Sequence, residues 1–498
     1  MDGALAKIFE GIRGAAEACR FALGVFEEGK ILSVGDGIVQ VAGLRDAKLN
    51  ELIDLGRESR GIIFDLHAER IGVVLLSGGE ELKAGQSAWK TDRIASIDVG
   101  ASLLGRVVDP LGTPLDNGAA PAGLVSCPID RIAPPLASRD YVSAPLHTGI
   151  KVIDAMLPIG RGQRELIIGD PATGKTSLAL DAVINQKRSD VIVVYASIGQ
   201  KKSRILKLID QIRTYGDLSR TAIVAADAAD SLGLQYLAPY SATAIAEYFL
   251  DRGRDVLIVY DDLNRHADAY RSLSLLLKRP PGREAYPGDI FFIHSRLLER
   301  SAQIHQSCGG GSITALPIVE TQQGRIASYI PTNLISITDG QIYLDVALFN
   351  KGIRPAIDVA RSVSRIGGKA QAEAMRSLAE RLKIDYSRFL EVEVFTRFGA
   401  RVEEETAKLI RRGERMREIL KQPRFHPVPL EDQILGLVAL EAGGVDACEA
   451  AAAAERCAEL IGLAKERFPE LVVRLRDEGR IGKPELERLN AFMAKGKG

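Results

Sequence analysis

The sequence predicts an α/β core built on a parallel sheet, with a small β-barrel before it and an α-helical bundle after it. Three observations in the 498-residue chain lead to this fold class. Short apolar runs punctuated by glycine occupy residues 24–94, which is typical of a small barrel. Continuous apolar runs alternate with helical segments over residues 95–371, and helical periodicity alone remains over residues 372–498.

The barrel prediction rests on two glycine-punctuated stretches, residues 30–44 and 60–78. Short strands at close spacing with glycine turns suggest a small barrel. We expect the barrel core to include Ile38, Val41, Ile63 and Val73. Residues 1–23 form an amphipathic N-terminal extension whose acidic residues argue against a secretory or transit leader.

The central region contains continuous apolar runs of strand length. The candidate parallel strands are residues 164–169, 190–197, 221–227 and 255–262. Helical segments at 175–186 and 241–254 lie between them, as the crossovers of a parallel sheet require. The stretch 278–289 is rich in proline and glycine and is predicted to be a loop.

Beyond residue 371 the strand signals fade. Residues 372–399 and 401–422 have helical periodicity, and the alanine-rich stretch 446–465 favours helix strongly. The chain is therefore expected to end in a helical bundle.

The composition excludes several classes of function. Lysine plus arginine and aspartate plus glutamate each number 65, so the net charge is zero and a basic nucleic-acid coat is absent. No apolar run approaches the roughly 18 residues that a membrane span needs. We therefore expect a cytosolic protein that touches a membrane only through partners and binds no nucleic acid.

One motif indicates phosphate binding. Residues 169–176, GDPATGKT, fit GxxxxGK(S/T) in full, directly after a predicted strand and at the start of a predicted helix. Backbone N–H groups would cradle phosphate oxygens, the lysine would neutralise them, and the threonine hydroxyl would bind Mg²⁺. A chance glycine-rich turn is disfavoured because strand, motif and helix are in register. The candidate nucleotide-binding residues are Gly169, Asp170, Pro171, Ala172, Thr173, Gly174, Lys175 and Thr176.

Two further strand ends bear on the chemistry. Asp261 lies at the end of an apolar strand, where a carboxylate can hold Mg²⁺ through water. Hydrolysis would also need a carboxylate to polarise the attacking water, but the strand 190–197 leads to Gln200. An amide cannot take a proton at neutral pH, which favours a binding-only site. Some nucleotide hydrolases orient water with glutamine, so a catalytic site stays open at this stage.

Several longer segments resemble the α subunit of the rotary F-type ATP synthase. The most specific are PPGREAYPGD and ISITDGQI, and the resemblance covers nearly the whole chain. It implies an α/β P-loop (RecA-like) nucleotide-binding core between an N-terminal β-barrel and a C-terminal α-helical bundle. Catalytic β subunits have glutamate in a GER turn where this chain has Gly199 and Gln200, as α subunits do. The resemblance thus implies a regulatory site that holds ATP and Mg²⁺ without useful turnover.

The resemblance also assigns residues outside the phosphate loop. Arg365, in the segment SVSR, matches the arginine that reaches into the catalytic site of the neighbouring β subunit. Ser362 belongs to the same segment and, with Ser336, is expected to line that interface. Arg354, Pro355 and Gln422 match positions around the adenine.

Some positions depart from the family pattern. Pro171 and Ala172 stand where the family has arginine and glutamine, and Arg424 replaces a second adenine-side glutamine. Arg361 is also unusual. These differences suggest a divergent branch, such as an alternative sodium-coupled ATPase, and the weakly matched N-terminal segment puts a δ subunit in doubt.

The implied partners are β subunits in an alternating ring of three α and three β chains, a central stalk γ subunit and peripheral stalk subunits. The implied location is the cytoplasmic face of a bacterial cell membrane. Two alternatives share the nucleotide fold: a self-sufficient hexameric ATPase of a protein-export motor, and a ring-shaped RNA translocase. The first would need its own catalytic carboxylate, and the second would need basic and aromatic residues in the barrel.

Overall fold

The computed structural model describes residues 27–56, 59–396 and 403–495. These residues fall into two compact units that divide between Ile94 and Ala95. The N-terminal extension 1–23 lies outside the described residues. None of the helices in the described ranges combines the length and the apolar character that a membrane span requires.

The first unit is a closed six-stranded barrel, as predicted, with strand order β1-β2-β5-β4-β3-β6. Every neighbouring pair is antiparallel, and pairing of β1 with β6 closes the ring. The strands are β1 (Glu28–Gly35), β2 (Ile38–Ala42), β3 (Glu51–Asp54), β4 (Arg60–Leu66), β5 (Ile71–Ser77) and β6 (Ser87–Ile94). The predicted core residues Ile38, Val41, Ile63 and Val73 are all buried. Because the six strands form a closed ring, the barrel has no unpaired edge strand.

The second unit is organised around an eight-stranded sheet with strand order β18-β17-β12-β16-β15-β13-β14-β8. All neighbouring pairs are parallel except β17 and β18, which are antiparallel. Strand bounds in this unit are β7 (Ser96–Val99), β8 (Val107–Val108), β9 (Val125–Pro128), β10 (Pro145–Leu146), β11 (Ile159–Gly160), β12 (Glu165–Gly169), β13 (Ile192–Gln200), β14 (Thr221–Asp227), β15 (Asp255–Asp261), β16 (Ser312–Glu320), β17 (Gly340–Leu344) and β18 (Val363–Ser364).

The four predicted parallel strands are all present, and β13 continues through Gln200 rather than ending at residue 197. Strands β16 and β17 were not predicted, yet they flank β12 in the middle of the sheet. Carboxyl ends of parallel strands share one edge, so β12, β13, β15 and β16 place their last residues together there.

Helices cover the sheet and join its strands. They span Lys151–Met156, Lys175–Asn185, Lys202–Tyr215, Leu232–Leu250, Leu263–Leu276, Ile290–Leu298, Tyr329–Ile337 and Val346–Asn350. The helix predicted at 241–254 begins nine residues earlier, at Leu232, where the Ser231 side chain accepts from the backbone N–H of Leu234. The predicted loop 278–289 contains one short 3₁₀ turn, Arg283–Ala285.

The rest of the chain is helical, as predicted. Its helices are Glu373–Thr396, Glu404–Leu420, Leu430–Glu441, Ala450–Arg467, Pro469–Glu478 and Lys483–Lys495. Buried side chains of these helices, such as Leu435 and Leu460, belong to the same apolar cluster as Ile167 and Leu344 of the sheet. The helical bundle and the sheet therefore share a continuous core.

Candidate nucleotide site

The phosphate loop follows the central strand β12 and starts the helix Lys175–Asn185. Gly174 has φ of 103°, a left-handed conformation that favours glycine, and it precedes the helix directly. A Cβ at Gly169 would lie 2.6 Å from the carbonyl oxygen of Leu344, so only glycine fits there. The free N–H groups of the first helical turn are the groups that bind anions in such loops.

Hydrogen bonds within the chain fix the conformation of the phosphate loop. The Asp170 carboxylate accepts from the Thr321 hydroxyl (2.5 Å) and from the Gly324 backbone N–H (2.9 Å). The Thr173 hydroxyl donates to the Asp170 carbonyl oxygen at 2.7 Å. Ala172 adopts φ of 63°, which is uncommon for a residue with a Cβ, and Pro171 and Ala172 are exposed. Of the two departures from the family pattern, Ala172 lines the cavity described below, and Pro171 does not.

Lys175 is buried beside two oxygen acceptors. Its ammonium group donates to the Asp170 carbonyl oxygen at 2.7 Å and lies 3.4 Å from a carboxylate oxygen of Glu320. Burial lowers the pKa of Lys175, and the charge of Glu320 partly offsets this effect. A bound phosphate would add negative charge at this point and stabilise the protonated amine.

Asp261 occupies the end of β15, next to Thr176. The Thr176 hydroxyl donates to its carboxylate at 3.1 Å, and the Tyr195 hydroxyl donates to the same oxygen at 2.8 Å. Burial raises the pKa of Asp261, whereas the hydrogen bonds from Tyr195 and Thr176 lower it. A hydroxyl and a carboxylate are the hard oxygen ligands that Mg²⁺ prefers, so these residues fit a magnesium-nucleotide site. The described residues contain no cluster of three or more acidic, histidine or cysteine side chains arranged around a metal ion.

Gln200 is oriented by two aspartates and an arginine. Its amide nitrogen donates to Asp262 at 3.2 Å and lies 3.5 Å from an oxygen of Asp261, while its carbonyl oxygen accepts from Arg204 at 3.3 Å. Burial, followed by the charge of Asp261, raises the pKa of Asp262 to about 7. Asp262 also caps the following helix by accepting from the Arg265 N–H.

A cavity of about 740 Å³ extends from the phosphate loop toward the helical bundle. Its lining includes Thr173 and Gly174 together with the predicted adenine-side residues Arg354, Pro355 and Gln422. Arg354 is exposed and its guanidinium lies 5.0 Å from the Phe349 ring centroid. The cavity thus joins part of the phosphate loop to the predicted adenine-side residues. Its lining does not include the predicted side chains Lys175, Thr176, Gln200 and Asp261.

Both polar atoms of the Gln422 side chain form hydrogen bonds with backbone groups around the cavity. The amide nitrogen donates to the carbonyl oxygens of Gly149 and His426, and the amide oxygen accepts from the Lys151 N–H. Its backbone N–H donates to the Arg354 carbonyl oxygen at 2.8 Å. These bonds tie the start of the nucleotide-binding core to the helical bundle.

Two residues of this region were missed by the sequence analysis. Glu320, at the end of β16, forms the ion pair with Lys175, and its backbone exchanges hydrogen bonds with the Asn264 side chain. Asp181, in the cavity wall, accepts from the Phe425 N–H, and burial raises its pKa to about 6. Recognition of β16 as a strand would have pointed to Glu320, since it is the last residue of that strand.

Arg365 and Ser362 lie elsewhere, around the edge strand β18. The Arg365 guanidinium is exposed, and its backbone N–H donates to the Asp339 carbonyl oxygen at 3.1 Å. Ser362 is buried, and its hydroxyl donates to the Asp358 carbonyl oxygen and accepts from the Tyr343 N–H. Ser336 is exposed, and its hydroxyl donates to the Thr332 carbonyl oxygen within its own helix.

Three family models match this chain. "ATP synthase alpha/beta family, beta-barrel domain" covers residues 26–91, "ATP synthase alpha/beta family, nucleotide-binding domain" covers residues 149–364, and "ATP synthase alpha/beta chain, C terminal domain" covers residues 371–495. The three matched segments correspond to the barrel, the sheet region and the helical bundle.

Curated relatives match over most of the chain. "ATP synthase subunit alpha 1" of Chlorobium luteolum is 48% identical over 98% of this chain and 95% of its own length. "ATP synthase subunit alpha 2" of Albidiferax ferrireducens is 52% identical over 89% of this chain and 83% of its own. "ATP synthase subunit alpha" of Caldanaerobacter subterraneus subsp. tengcongensis is 47% identical over 95% and 93%.

Proposed function

This chain belongs to the ATP synthase alpha/beta family, among the α subunits, and we propose that it is the regulatory, non-catalytic nucleotide-binding subunit of its rotary complex. The observation that carries the proposal is Gln200. It is the last residue of β13, at the edge of the sheet where β12 leads into the phosphate loop, and hydrolysis would need a carboxylate at this position. Its amide donates to Asp262 and is held there by Arg204, so it presents no base to an attacking water.

ATP with Mg²⁺ is the proposed ligand of the cavity. The loop N–H groups and Lys175 would bind the phosphates, Thr176 would bind Mg²⁺ directly, and Asp261 would bind it through water. The Mg²⁺ ion would neutralise part of the negative charge of the phosphates. Arg354 and Pro355 would face the base, and Gln422 would keep the cavity wall in place through its three backbone partners.

The carboxylates near the phosphate loop have to be accounted for in this assignment. Asp262 accepts from the Gln200 amide and from the Arg265 N–H, which engages both of its oxygens. Glu320 is a further carboxylate of this region. It pairs with Lys175 at 3.4 Å, so its charge compensates the buried ammonium group in the nucleotide-free chain. Asp261 and Asp262 lie close enough for the charge of Glu320 to raise their pKa values. We therefore assign Glu320 to charge balance at Lys175 rather than to activation of water.

Arg365 is proposed to act in the neighbouring β subunit. An exposed guanidinium supplied in trans can stabilise the charge that develops on the transferred phosphoryl group. Strand β18 and the Asp339 carbonyl oxygen fix the backbone at Arg365. Ser362, whose hydroxyl joins Asp358 to Tyr343, would act by holding this segment on the sheet rather than by facing the partner.

The same proposal includes the assembly. β subunits in an alternating ring, a central stalk γ subunit and a peripheral stalk would surround this chain, and the complex would place it at the cytoplasmic face of a bacterial membrane. The RNA translocase alternative gains no support from the barrel. Phe64 is buried there, which leaves Trp89 as the main exposed aromatic for stacking a base.

Replacing Lys175 by alanine tests the non-catalytic assignment. Loss of a charged hydrogen bond to phosphate costs about 1.5–3 kcal/mol, so we expect roughly 10- to 100-fold weaker ATP binding to the purified chain. The assembled complex should keep part of its steady-state turnover, because the chemistry occurs in the β subunits. Calorimetry on the chain and phosphate release from the complex measure the two effects.

The matched control is Lys207→Ala, which removes an exposed lysine from the helix Lys202–Tyr215. It should leave both binding and turnover unchanged. A correctly assembled Lys175→Ala complex with no turnover at all would contradict the non-catalytic assignment.

A further inference from the structure

Three adjacent strands place one buried carboxyl group beside the backbone of Arg365. In the pairing of β12 with β17, Glu165 is opposite Gly340. In the pairing of β17 with β18, Gly340 is opposite Ser364. Neighbouring strands lie about 4.8 Å apart, so Glu165, Gly340 and Ser364 form a single row across the sheet. Arg365 follows Ser364 directly.

The missing side chain at Gly340 leaves space for this carboxyl group. A Cβ at Gly340 would lie 2.5 Å from Oε2 and 2.8 Å from Oε1 of Glu165, so the carboxyl group lies across the glycine toward β18. The Gln163 amide donates to Glu165 Oε2 at 2.8 Å and contacts the Ser364 hydroxyl oxygen at 3.3 Å. Gln163 thus bridges the carboxyl group to the residue that precedes Arg365.

One oxygen of the carboxyl group has no partner. The Glu165 side chain is fully buried, and Oε1 accepts no hydrogen bond from any residue that the structure describes. Burial raises the pKa of Glu165 well above its usual range, and the negative charge of Asp339 adds to the shift. The Gln163 hydrogen bond and the positive charge of Arg365 act in the opposite direction. Burial and the charge of Asp339 therefore favour the neutral carboxyl group, whereas Gln163 and Arg365 favour the carboxylate.

Arg365 is the cation whose charge acts on Glu165, where it lowers the pKa of the carboxyl group. Arg365 is an exposed residue and makes no salt bridge within residues 27–56, 59–396 and 403–495. The other acid nearby, Asp339, is already paired with Arg164 at 2.9 Å. A buried polar atom without a partner is costly, and an arginine fork supplies the donors it lacks.

We propose that Glu165 is a positioning residue for Arg365 and gives its guanidinium an inward position that alternates with the outward one. In the inward position the guanidinium donates to Oε1 of an ionised Glu165. In the outward position it reaches the neighbouring subunit, and the carboxylate takes up a proton from solvent. The inference rests on the proposed role of Arg365 in trans.

The alternation makes the outward position depend on pH. The charged groups that act on Glu165 are Asp339 and Arg365, with Arg164 neutralising Asp339. At a pH below its raised pKa, the Glu165 carboxyl group is neutral and leaves Arg365 in the outward position. As pH rises through that pKa, the carboxylate forms and holds Arg365 inward, so turnover falls.

The test is the pH profile of ATP turnover by the complex assembled with Glu165→Gln. Glutamine keeps an acceptor for Gln163 but cannot ionise, so we expect the alkaline decline to disappear with KM unchanged. The ratio of variant to wild-type turnover should increase by up to about tenfold per pH unit beyond the ionisation. The control is Glu431→Gln, which alters another buried glutamate, paired with Arg476 at 2.9 Å, and should keep the wild-type profile.

Two outcomes separate this inference from the proposed function. If Arg365→Ala lowers turnover while Glu165→Gln follows the wild-type pH profile, the inference fails and the role of Arg365 stands. If Arg365→Ala leaves turnover unchanged, the role of Arg365 fails and the inference fails with it. Adding Glu165→Gln to the Arg365→Ala complex should change nothing further, whereas a purely structural role of Glu165 would lower activity in both backgrounds.

A second measurement needs no variant. Phenylglyoxal modifies accessible arginines, and peptide mass analysis of the modified wild-type chain gives the extent at each site. Arg361 is exposed on the same segment and serves as the internal reference. The ratio of Arg365 to Arg361 modification should fall as pH rises, because the inward guanidinium is shielded. A ratio independent of pH would overturn the proposal even if Glu165→Gln does not assemble.

Discussion

Replacing Arg365 by alanine is expected to lower multisite ATP turnover of the assembled complex by about 10³–10⁵-fold, the range of an arginine supplied in trans. The charge would act mainly on the transition state, so ground-state nucleotide affinity of the β subunit should change little. The backbone at Arg365 is held by β18 and Asp339, so removal of the side chain should leave the ring intact. Turnover is measured by phosphate release from rings of confirmed size.

Arg365→Lys separates charge from geometry. Lysine keeps the charge but lacks the planar fork, so turnover should still be impaired. Arg361→Ala is the matched control, since Arg361 is an exposed arginine of the same segment that lies 3.5 Å from Asp358. An Arg365→Ala ring that assembles and turns over at the wild-type rate would refute the role in trans.

The largest effect on stability is expected at Arg300, which is 1% exposed. Its guanidinium donates to both carboxylate oxygens of Glu247, at 2.8 and 2.7 Å, and to the Ile129 carbonyl oxygen at 2.8 Å. Removing one partner of a buried pair leaves the other charge uncompensated, at a cost of about 3–5 kcal/mol. Arg300→Ala should lower the free energy of unfolding by that amount in urea titrations followed by circular dichroism.

Two comparisons isolate the cause. Arg300→Met combined with Glu247→Leu removes both charges and keeps apolar volume, so it should recover much of the loss. Asp251→Asn removes the pair of Asp251 with Arg131, whose side chains are about half exposed, and should cost under about 1 kcal/mol. An Arg300→Ala chain as stable as the wild type would show that the pair contributes nothing to the fold.

The sequence predicted the fold class because its strongest patterns are local. Continuous apolar runs identified β12 to β15, and the phosphate loop lies between its predicted strand and helix. Strand β16 was not predicted, and it contains Pro317, a residue type that is disfavoured in central strands; in the structure Pro317 lies opposite Tyr260 of β15. With β16 missed, Glu320 and its pair with Lys175 could not be foreseen.

The surroundings of the remaining candidate residues depend on contacts distant in sequence. Gln422 bonds to Gly149 and Lys151, which lie more than 270 residues earlier, and local pattern carries no information on that pairing. Arg365 was assigned through family resemblance, because the two-residue strand that precedes it has no sequence signature. The burial of Ser362 likewise follows from its tertiary contact with Tyr343.

We propose that this chain binds ATP without hydrolysing it. Calorimetry of MgATP with the purified full-length chain, paired with phosphate release from the same sample, measures binding and hydrolysis together. We expect saturable binding and negligible phosphate release, because Gln200 supplies no base at the phosphate loop. Several turnovers per second from the chain alone would show that the site is catalytic.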